Sequence, residues 1–216
     1  MGISDGAVMD NRFEEIVYLL RHASGAEDFY AQQEDIMTVF PVMRETVGFE
    51  QYNAAHQYDL WNHSICTIMN LPRDNFDDML YVAALLHDVG KLRCQIKREN
   101  DPNMHYYGHP VISKKIVEEE LFPYWRENAI VLTDDERQRL LYYVEYHDDR
   151  VSLRIKHLRR HLKMVPLPVF KNLMLLEVAD AKAHNDLPII RERIDICSTW
   201  SGVYADEKYQ EILDGK

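Results

Sequence analysis

The sequence predicts an all-α fold in one domain. Apolar residues recur with the period of a helix through almost the whole chain, while tight hairpin signals and long alternating β-branched runs are missing from it. The chain has 216 residues, 46% of them hydrophobic, which is enough for one well-formed core and short for two. No repeat, low-complexity tract or linker interrupts the pattern. We therefore expect a single helical domain over residues 1–216.

The helices can be placed from this periodicity, with the prolines falling at or between them. Thr133 and Glu136 have the spacing of a capping box at the start of the sixth helix. The fourth helix is apolar on every side, which predicts a central position, and Gly90 follows it as the expected C-terminal cap. The predicted ranges are 10–22, 28–40, 56–70, 75–89, 110–121, 133–147, 149–163, 168–184, 186–198 and 205–213.

Charge and cysteine usage narrow the class of protein. The formal net charge is -11, with acidic residues spread along the chain, which argues against strong binding of nucleic-acid phosphates. The three cysteines (Cys66, Cys94 and Cys197) are odd in number and far apart, as expected for reduced thiols. A secretory leader and an apolar run of membrane-spanning length are both missing from the sequence. We expect a soluble cytoplasmic protein that does not bind membranes.

The strongest indication of chemistry is the pair His87-Asp88, which ends the apolar run of the fourth helix. Burying a charged carboxylate without compensation costs several kcal/mol or forces it to take up a proton. A divalent metal ion is a common source of that compensation. The pair therefore predicts a metal site at the inner end of this helix.

Further histidines and aspartates lie on other predicted helices. His63 is close to the apolar face of the third helix, and Asp59 lies one turn earlier, where its carboxylate could orient the imidazole. Taken alone, this pair fits a buried histidine and an ordinary helix-start aspartate better. His147 lies on an apolar stripe, Asp180 lies inside an apolar stretch, and His184 follows Asp180 by one turn. Taken singly, His147 and Asp180 fit a structural and a functional role equally well.

The remaining histidines have weaker signals. His109 opens a helix immediately before Pro110, and by itself it fits a loop residue next to a helix start. Two others, His56 and His105, lie close in sequence to the candidate ligands. We assign five histidines to structural or surface positions by default: His22, His56, His105, His157 and His161.

Taken together, these residues form an ordered series on successive helices. The chain resembles the HD-domain superfamily of metal-dependent phosphohydrolases, whose signature is H…HD…D. Within that superfamily it most resembles the HD domain of bacterial CCA-adding tRNA nucleotidyltransferases. The resemblance covers about residues 51–185, flanked by N-terminal and C-terminal helical extensions. It is carried by four segments: 58–63 (YDLWNH), 87–91 (HDVGK), 108–109 (GH) and 179–184 (ADAKAH). The nucleotidyltransferase head is missing from the sequence, so CCA addition is not expected.

The resemblance implies a ligand set. One ion would be held by His63, His87, Asp88 and Asp180. His109 and His147 match the two histidines that members with two ions add, and Asp88 would then bridge the ions. Imidazole and carboxylate donors without thiolate suit Mn, Fe, Co, Ni or Zn better than Mg, which stays possible. We therefore expect one or two divalent transition-metal ions.

The resemblance also implies an activity. Metal-activated hydroxide would hydrolyse a phosphomonoester or phosphodiester of a nucleotide or related small molecule. Asp88 and Lys91 would be catalytic, and Lys91 would also bind phosphate, although a lysine here equally favours the helix dipole. Signatures typical of cyclic di-GMP phosphodiesterases and ppGpp hydrolases are missing, which leaves the substrate open. Arg93, Arg150 and Arg154 follow segments of the predicted metal site and are candidate substrate contacts, although each fits a solvated surface charge better; His184 is a further candidate substrate contact.

Two other functions are alternatives to phosphate-ester hydrolysis. HD-fold di-iron oxygenases have the same six-ligand series, and a non-catalytic nucleotide-binding module would be expected to have lost a ligand. Aromatic residues predicted at the surface, among them Tyr142, Tyr143 and Tyr146, are compatible with a homodimer. The segment after residue 185, with Trp200 and Tyr204, is expected to pack back on the core or to close the site.

Overall fold

The computed structural model describes the backbone of residues 5–215 and the side chains from residue 11 onward. Within this part of the chain, thirteen helices, a 3₁₀ turn at Pro41–Thr46, a π turn at Val117–Leu121 and one short hairpin follow one another. The helices are α1 (Asp5–His22), α2 (Ala26–Ala31), α3 (Gln33–Val39), α4 (Leu60–Met69), α5 (Asp78–Leu86), α6 (Lys91–Cys94), α7 (His109–Ile116), α8 (Phe122–Glu127), α9 (Asp134–Tyr146), α10 (Ile155–His161), α11 (Leu167–Lys182), α12 (Pro188–Ser201) and α13 (Val203–Leu213). The hairpin pairs β1 (Ile96–Lys97) with β2 (Met104–His105).

The all-α prediction is confirmed, and α5 is the central helix, as its sequence predicted. Every residue from Met79 to Leu86 is buried, because α5 is surrounded by α1, α4, α9 and α11. Asp77 caps its N-terminus by accepting the Met79 N–H. At the opposite end the chain passes directly into His87 and Asp88, which are also buried. The apolar character of this helix therefore places the His-Asp pair in the middle of the protein.

Several predicted elements differ from the observed ones. The helix expected over 28–40 is divided at Gln32 into α2 and α3. The helix expected over 149–163 begins only at Ile155. The hairpin was not predicted, because strands of two residues are too short to show alternation. The capping box of Thr133 and Glu136 is confirmed, with both reciprocal hydrogen bonds present.

Gly90 is not the helix cap that the sequence suggested. Its φ of -62° and ψ of -22° are right-handed, and any residue could adopt them. A Cβ at this position would lie 2.2 Å from the His109 carbonyl oxygen and 2.5 Å from the Ser113 amide nitrogen. The Gly90 N–H donates to Ser113 Oγ at 2.8 Å. Gly90 is thus required for the close approach of α7, which carries His109.

The C-terminal helices pack back on the core. α12 lies along α11, and the buried Trp200 contacts the Phe170 ring, with a centroid separation of 5.6 Å. The Trp200 indole N–H donates to the Ser152 carbonyl at 3.1 Å. The prediction of surface tyrosines on α9 is wrong for Tyr142 and Tyr143, which are 5% and 0% exposed because α9 is covered on more than one side. They therefore give no support to a homodimer.

Two further findings concern membrane-spanning helices and the cysteine thiols. Among the described residues, no helix combines the length and the apolar composition needed to cross a membrane. The three cysteines are free thiols, as predicted, and Cys197 is buried.

Candidate metal centre

The first group of candidate ligands joins three parts of the fold. His63 comes from α4, His87 and Asp88 follow α5, and Asp180 comes from α11; one donor atom from each of these four lies within 4.8 Å of the others. His63 Nε2 lies 3.0 Å from Asp180 Oδ1 and 3.3 Å from His87 Nε2. All four residues are at most 3% exposed. The buried group is therefore compact enough to surround one ion.

The second group shares Asp88 with the first. Asp88 Oδ1 lies 3.0 Å from His109 Nε2 and 3.4 Å from His147 Nε2, and these two nitrogens are 3.1 Å apart. The other oxygen of Asp88, Oδ2, lies 3.3 Å from both His63 Nε2 and His87 Nε2. Asp88 therefore faces one group with each oxygen, as a bridging carboxylate would.

The backbone sets the orientation of three of the four imidazoles. Each of these rings places Nδ1 against the carbonyl oxygen three residues earlier, so Nδ1 carries the proton and donates it. The pairs are His87 with Ala84 (2.9 Å), His109 with Tyr106 (3.0 Å) and His147 with Val144 (2.8 Å). A proton on Nδ1 leaves the Nε2 lone pair directed at the centre, which is the arrangement that metal-ligating histidines require.

This arrangement fits a divalent metal ion. The Nε2 atoms of neighbouring rings approach to 3.1 and 3.3 Å, at which two lone pairs would repel, so each pair of nitrogens needs a proton or a metal ion between them. Asp88 Oδ1 and Asp180 Oδ1 are buried and accept no hydrogen bond from any described residue. The donors are imidazole nitrogens and carboxylate oxygens, which suit first-row transition metals. The residues present could hold one or two such ions.

The electrostatics of the centre favour positive charge. Burial alone would raise the pKa of Asp88, but Lys91 and His87 hold it well below its usual range. Asp180 is similar, since burial is outweighed by His184 and His63, and its pKa is also lowered. Burial lowers the pKa of His87, yet the two carboxylates overcome this and raise it to about 10. The field that favours a proton on His87 also favours a metal ion.

Lys91 is buried next to the centre, and each of its ammonium hydrogens has an acceptor. Nζ lies 2.6 Å from Asp88 Oδ2, 2.8 Å from Gln51 Oε1 and 3.0 Å from His56 Nε2. Burial and Lys91 lower the pKa of His56 to about 2, so this ring is a neutral acceptor. The default structural assignment of His56 missed this contact, and Gln51 had no sequence signal at all.

A cavity of about 630 Å³ opens beside the centre. Its wall includes Asp88, Lys91 and Asp180, together with residues of the hairpin and of α12. Of the predicted substrate contacts, His184 lines the cavity, and Arg150 lies on its wall with an exposed side chain.

The other two arginines predicted to contact substrate lie elsewhere. Arg154 is not a lining residue and is exposed at the N-cap of α10. Arg93 is held in a surface ion pair by Glu45, with both contacts at 2.6 Å. Neither arginine lines the cavity beside the candidate metal centre.

Asp59 does not orient His63. Its carboxylate accepts the N–H of Asn62 at 2.8 Å and that of Gly48 at 2.7 Å. Both bonds serve the start of α4, for which Asp59 is the N-cap. The ordinary interpretation, a helix-start aspartate, is therefore the right one.

Sequence reasoning missed an arginine at the centre. Arg193 on α12 lines the cavity, and its Nη1 lies 3.4 Å from Asp180 Oδ2. Its Nη2 donates to the His147 carbonyl at 2.5 Å. Buried Glu177, one turn before Asp180 on α11, lies 3.4 Å from Arg193 Nε, and burial raises the pKa of Glu177 to about 8. The only available signal was a second carboxyl group in the apolar stretch around Asp180.

Comparisons with known proteins add one finding to this geometry. No curated protein and no solved structure matches the chain. The protein-family model described as the HD domain matches residues 60–185, a range that includes all six candidate ligands. This match covers more than half of the 216 residues, so the chain belongs to the HD-domain superfamily of metal-dependent phosphohydrolases.

Proposed function

We propose that the protein is a metal-dependent phosphohydrolase that cleaves a phosphomonoester or phosphodiester of a nucleotide or related small molecule. One observation supports this above all: two buried ligand groups share Asp88 at the wall of a cavity of about 630 Å³. Lys91 and Arg193 place positive charge on the same wall. The wall also carries carboxyl groups outside the ligand groups, among them Asp148, Asp149 and Glu192, so an anionic ligand would depend on ions at the ligand groups together with Lys91 and Arg193.

In this proposal each ligand group holds one ion. His63, His87 and Asp180 would hold the first ion and His109 and His147 the second, and Asp88, which belongs to both groups, would contribute to both. When bound, such ions supply a nucleophilic water and neutralise charge on the phosphoryl oxygens. The chain contributes the orientation of the donors, because the bonds from Nδ1 to backbone carbonyls keep Nε2 of three rings directed at the centre.

Lys91 and His184 have separate roles in the proposal. The three acceptors of Lys91 hold its ammonium group in place, where its charge stabilises the negative charge that develops on the phosphoryl group. His184 Nδ1 donates to the Asp180 carbonyl at 2.8 Å, so its Nε2 is an acceptor for a substrate N–H or O–H group. Arg150 attracts the anionic substrate to the cavity.

We also propose that residues 1–216 form a single HD domain, because α12 and α13 pack on the helices of residues 60–185 and leave no separate core of their own among the described residues. The resemblance to the HD domain of CCA-adding enzymes stays a hypothesis about descent, and it implies no transferase activity here.

The test begins with protein purified without chelator and reconstituted with Mn²⁺, Co²⁺ or Fe²⁺. Bound metal is counted, and phosphate or p-nitrophenol release is measured with p-nitrophenyl phosphate, bis(p-nitrophenyl) phosphate and a nucleotide panel. We expect wild type to bind up to two ions and to hydrolyse substrate only when metal is bound. Asp88→Asn should lose both the metal and the hydrolysis, because the Asp88 carboxylate belongs to both ligand groups. Lys91→Met should keep the metal and lose at least 100-fold in kcat. Lys115→Met, on the exposed face of α7, is the matched control.

Two outcomes would contradict the proposal. Iron-loaded protein that consumes oxygen and releases no phosphate would instead be a di-iron oxygenase. Protein that binds metal and nucleotides but turns over none of the substrates with any of the three metals would be a binding module.

A further inference from the structure

We propose that Arg193 is a positioning residue of the metal centre, through which α12 becomes part of a site whose candidate ligands all lie within residues 60–185. The proposal rests on the metal-binding part of the proposed function and is independent of whether the protein hydrolyses phosphate esters.

The first argument concerns the two oxygens of Asp180. Oδ1 faces the centre, at 3.0 Å from His63 Nε2 and 3.6 Å from His87 Nε2. Oδ2 lies 3.4 Å from Arg193 Nη1. A carboxylate with one oxygen held by a guanidinium presents the other in a fixed direction. Arg193 therefore determines which oxygen of Asp180 is available to an ion.

The second argument concerns His147, which belongs to the other ligand group. The His147 carbonyl accepts the Arg193 Nη2–H at 2.5 Å. His147 is the C-cap of α9, where carbonyls have no donor within the helix and a cation is favourable. Because the His147 ring is bonded through Nδ1 to the Val144 carbonyl, the backbone here sets the position of the ring. One side chain thus reaches a ligand of each group.

The geometry requires an arginine and not merely a positive charge. Besides Asp180 and His147, the guanidinium lies 3.4 Å from Glu177 Oε2 and 3.4 Å from Asp148 Oδ1. A planar guanidinium has five N–H donors in a fixed fork, whereas an ammonium has three donors on one atom. Lysine at position 193 would keep the charge but could not serve these separate acceptors together.

A purely structural role is the competing explanation. In that case Arg193 only donates a hydrogen bond to Glu177, pairs with Asp148 and fastens α12 to α11. Both explanations predict lower stability for Arg193 variants. Only the positioning role predicts weaker metal binding at constant charge.

The experiment compares three full-length proteins: wild type, Arg193→Lys and Arg191→Lys. Arg191 lies on the same helix, is exposed, and pairs with Asp186 at the surface. Each protein is stripped of metal and titrated with Co²⁺, followed by calorimetry and by the d–d absorption spectrum. We expect Arg193→Lys to bind at least one ion about 10- to 100-fold more weakly, with an altered spectrum, and Arg191→Lys to match wild type. Binding within twofold of wild type and an unchanged spectrum for Arg193→Lys would overturn the proposal.

A second pair of variants covers the case in which Arg193→Lys does not fold. Glu177→Gln keeps the contacts of Arg193 with Asp180 and His147, and the double variant Glu177→Gln/Arg193→Gln removes the guanidinium together with the carboxyl group of Glu177. We expect Glu177→Gln to bind Co²⁺ as wild type does. The double variant should bind more weakly, although it has lost a positive charge that disfavours cations. Equal affinity of these two proteins would overturn the proposal. If wild type binds Co²⁺ but hydrolyses nothing, the proposed function fails and this inference is unaffected.

Discussion

Replacing Gly90 with alanine should disturb the metal centre without touching a ligand. The backbone angles at Gly90 suit alanine, so the effect is steric. The new Cβ would lie 2.2 Å from the His109 carbonyl oxygen, which must retreat by about 0.8 Å to reach even a 3.0 Å contact. Metal–ligand distances tolerate only about 0.2 Å, so a shift of this size would remove His109 from an ion. His63 and Asp180, on α4 and α11, should keep their positions.

The cost in stability can be estimated from the same contacts. Forcing an extra methyl group into a packed site costs about 1–3 kcal/mol. Weakening the bond from the Gly90 N–H to Ser113 Oγ, 2.8 Å long, adds about 1 kcal/mol. The free energy of unfolding should therefore fall by about 2–4 kcal/mol, which is a fall of roughly 5–15 °C in Tm. Guanidinium unfolding measures the first quantity, and metal analysis after dialysis counts the ions.

Gly25→Ala is the matched control. Gly25 has an extended φ of -167°, and its added Cβ would have no neighbour within 4 Å among the described residues. The free energy of unfolding of Gly25→Ala should differ from that of wild type by less than about 0.5 kcal/mol, and its metal content should be unchanged. If Gly90→Ala kept wild-type stability and the full number of ions, the close packing of α7 against Gly90 would not be what positions His109.

Three further predictions concern stability. A free metal-ion concentration of 100 times the Kd should raise the free energy of unfolding by about 2.7 kcal/mol. Thermal melts should show the corresponding rise in Tm, and adding a chelator should remove it. Asp77→Ala should cost about 2–4 kcal/mol in urea unfolding, because half-buried Asp77 caps α5, accepts from Tyr143 Oη at 2.6 Å and pairs with Arg139; a cost below 1 kcal/mol would contradict this. Burial raises the pKa of Glu177 from 4.5 to about 8, so folded protein keeps a proton that the unfolded chain releases. Stability of wild type should therefore fall as pH rises from about 4.5 to 8, and a series of pH-dependent melts should show a shallower fall for Glu177→Gln.

Two of the candidate ligands have a clear signal in the sequence because they interrupt a local apolar pattern. Asp88 follows an apolar run, and Asp180 lies inside another, so an unexplained carboxylate was visible at both positions. The structure brings both aspartates into the buried groups. The order of these residues along the chain also carried the family resemblance, whose coarser level the HD-domain match confirms.

The residues that support the ligands could not be predicted in the same way. Gln51 and Arg193 lie in segments where a polar side chain is ordinary, and their contacts depend on how distant helices meet. The same holds for Gly90, which resembled a cap because glycine is common after helices, whereas its actual neighbour is Ser113 on α7. Periodicity describes one helix at a time, and these contacts join two.

Tyr142 and Tyr143 show a related limit. Adjacent residues on a helix point about 100° apart, so a pattern with one buried face leaves one of them at the surface. Both are buried here, because α9 packs against α5 on one side while Tyr142 Oη lies 2.8 Å from the buried His161 Nδ1 of α10 on another. A helix covered on several sides cannot be recognised from its own residues alone.

The scatter of the ligands along the chain has a consequence for folding. His63 and Asp180 meet at 3.0 Å although more than a hundred residues separate them. Contacts of such long range form slowly, because the entropy of closing the intervening loop must be overcome before they contribute energy. In a refolding chain only His87 and Asp88 are neighbours from the start, and the other donors arrive as α4, α7, α9 and α11 assemble with α5. The absorption of bound cobalt should therefore appear after helix formation and time the last step of folding.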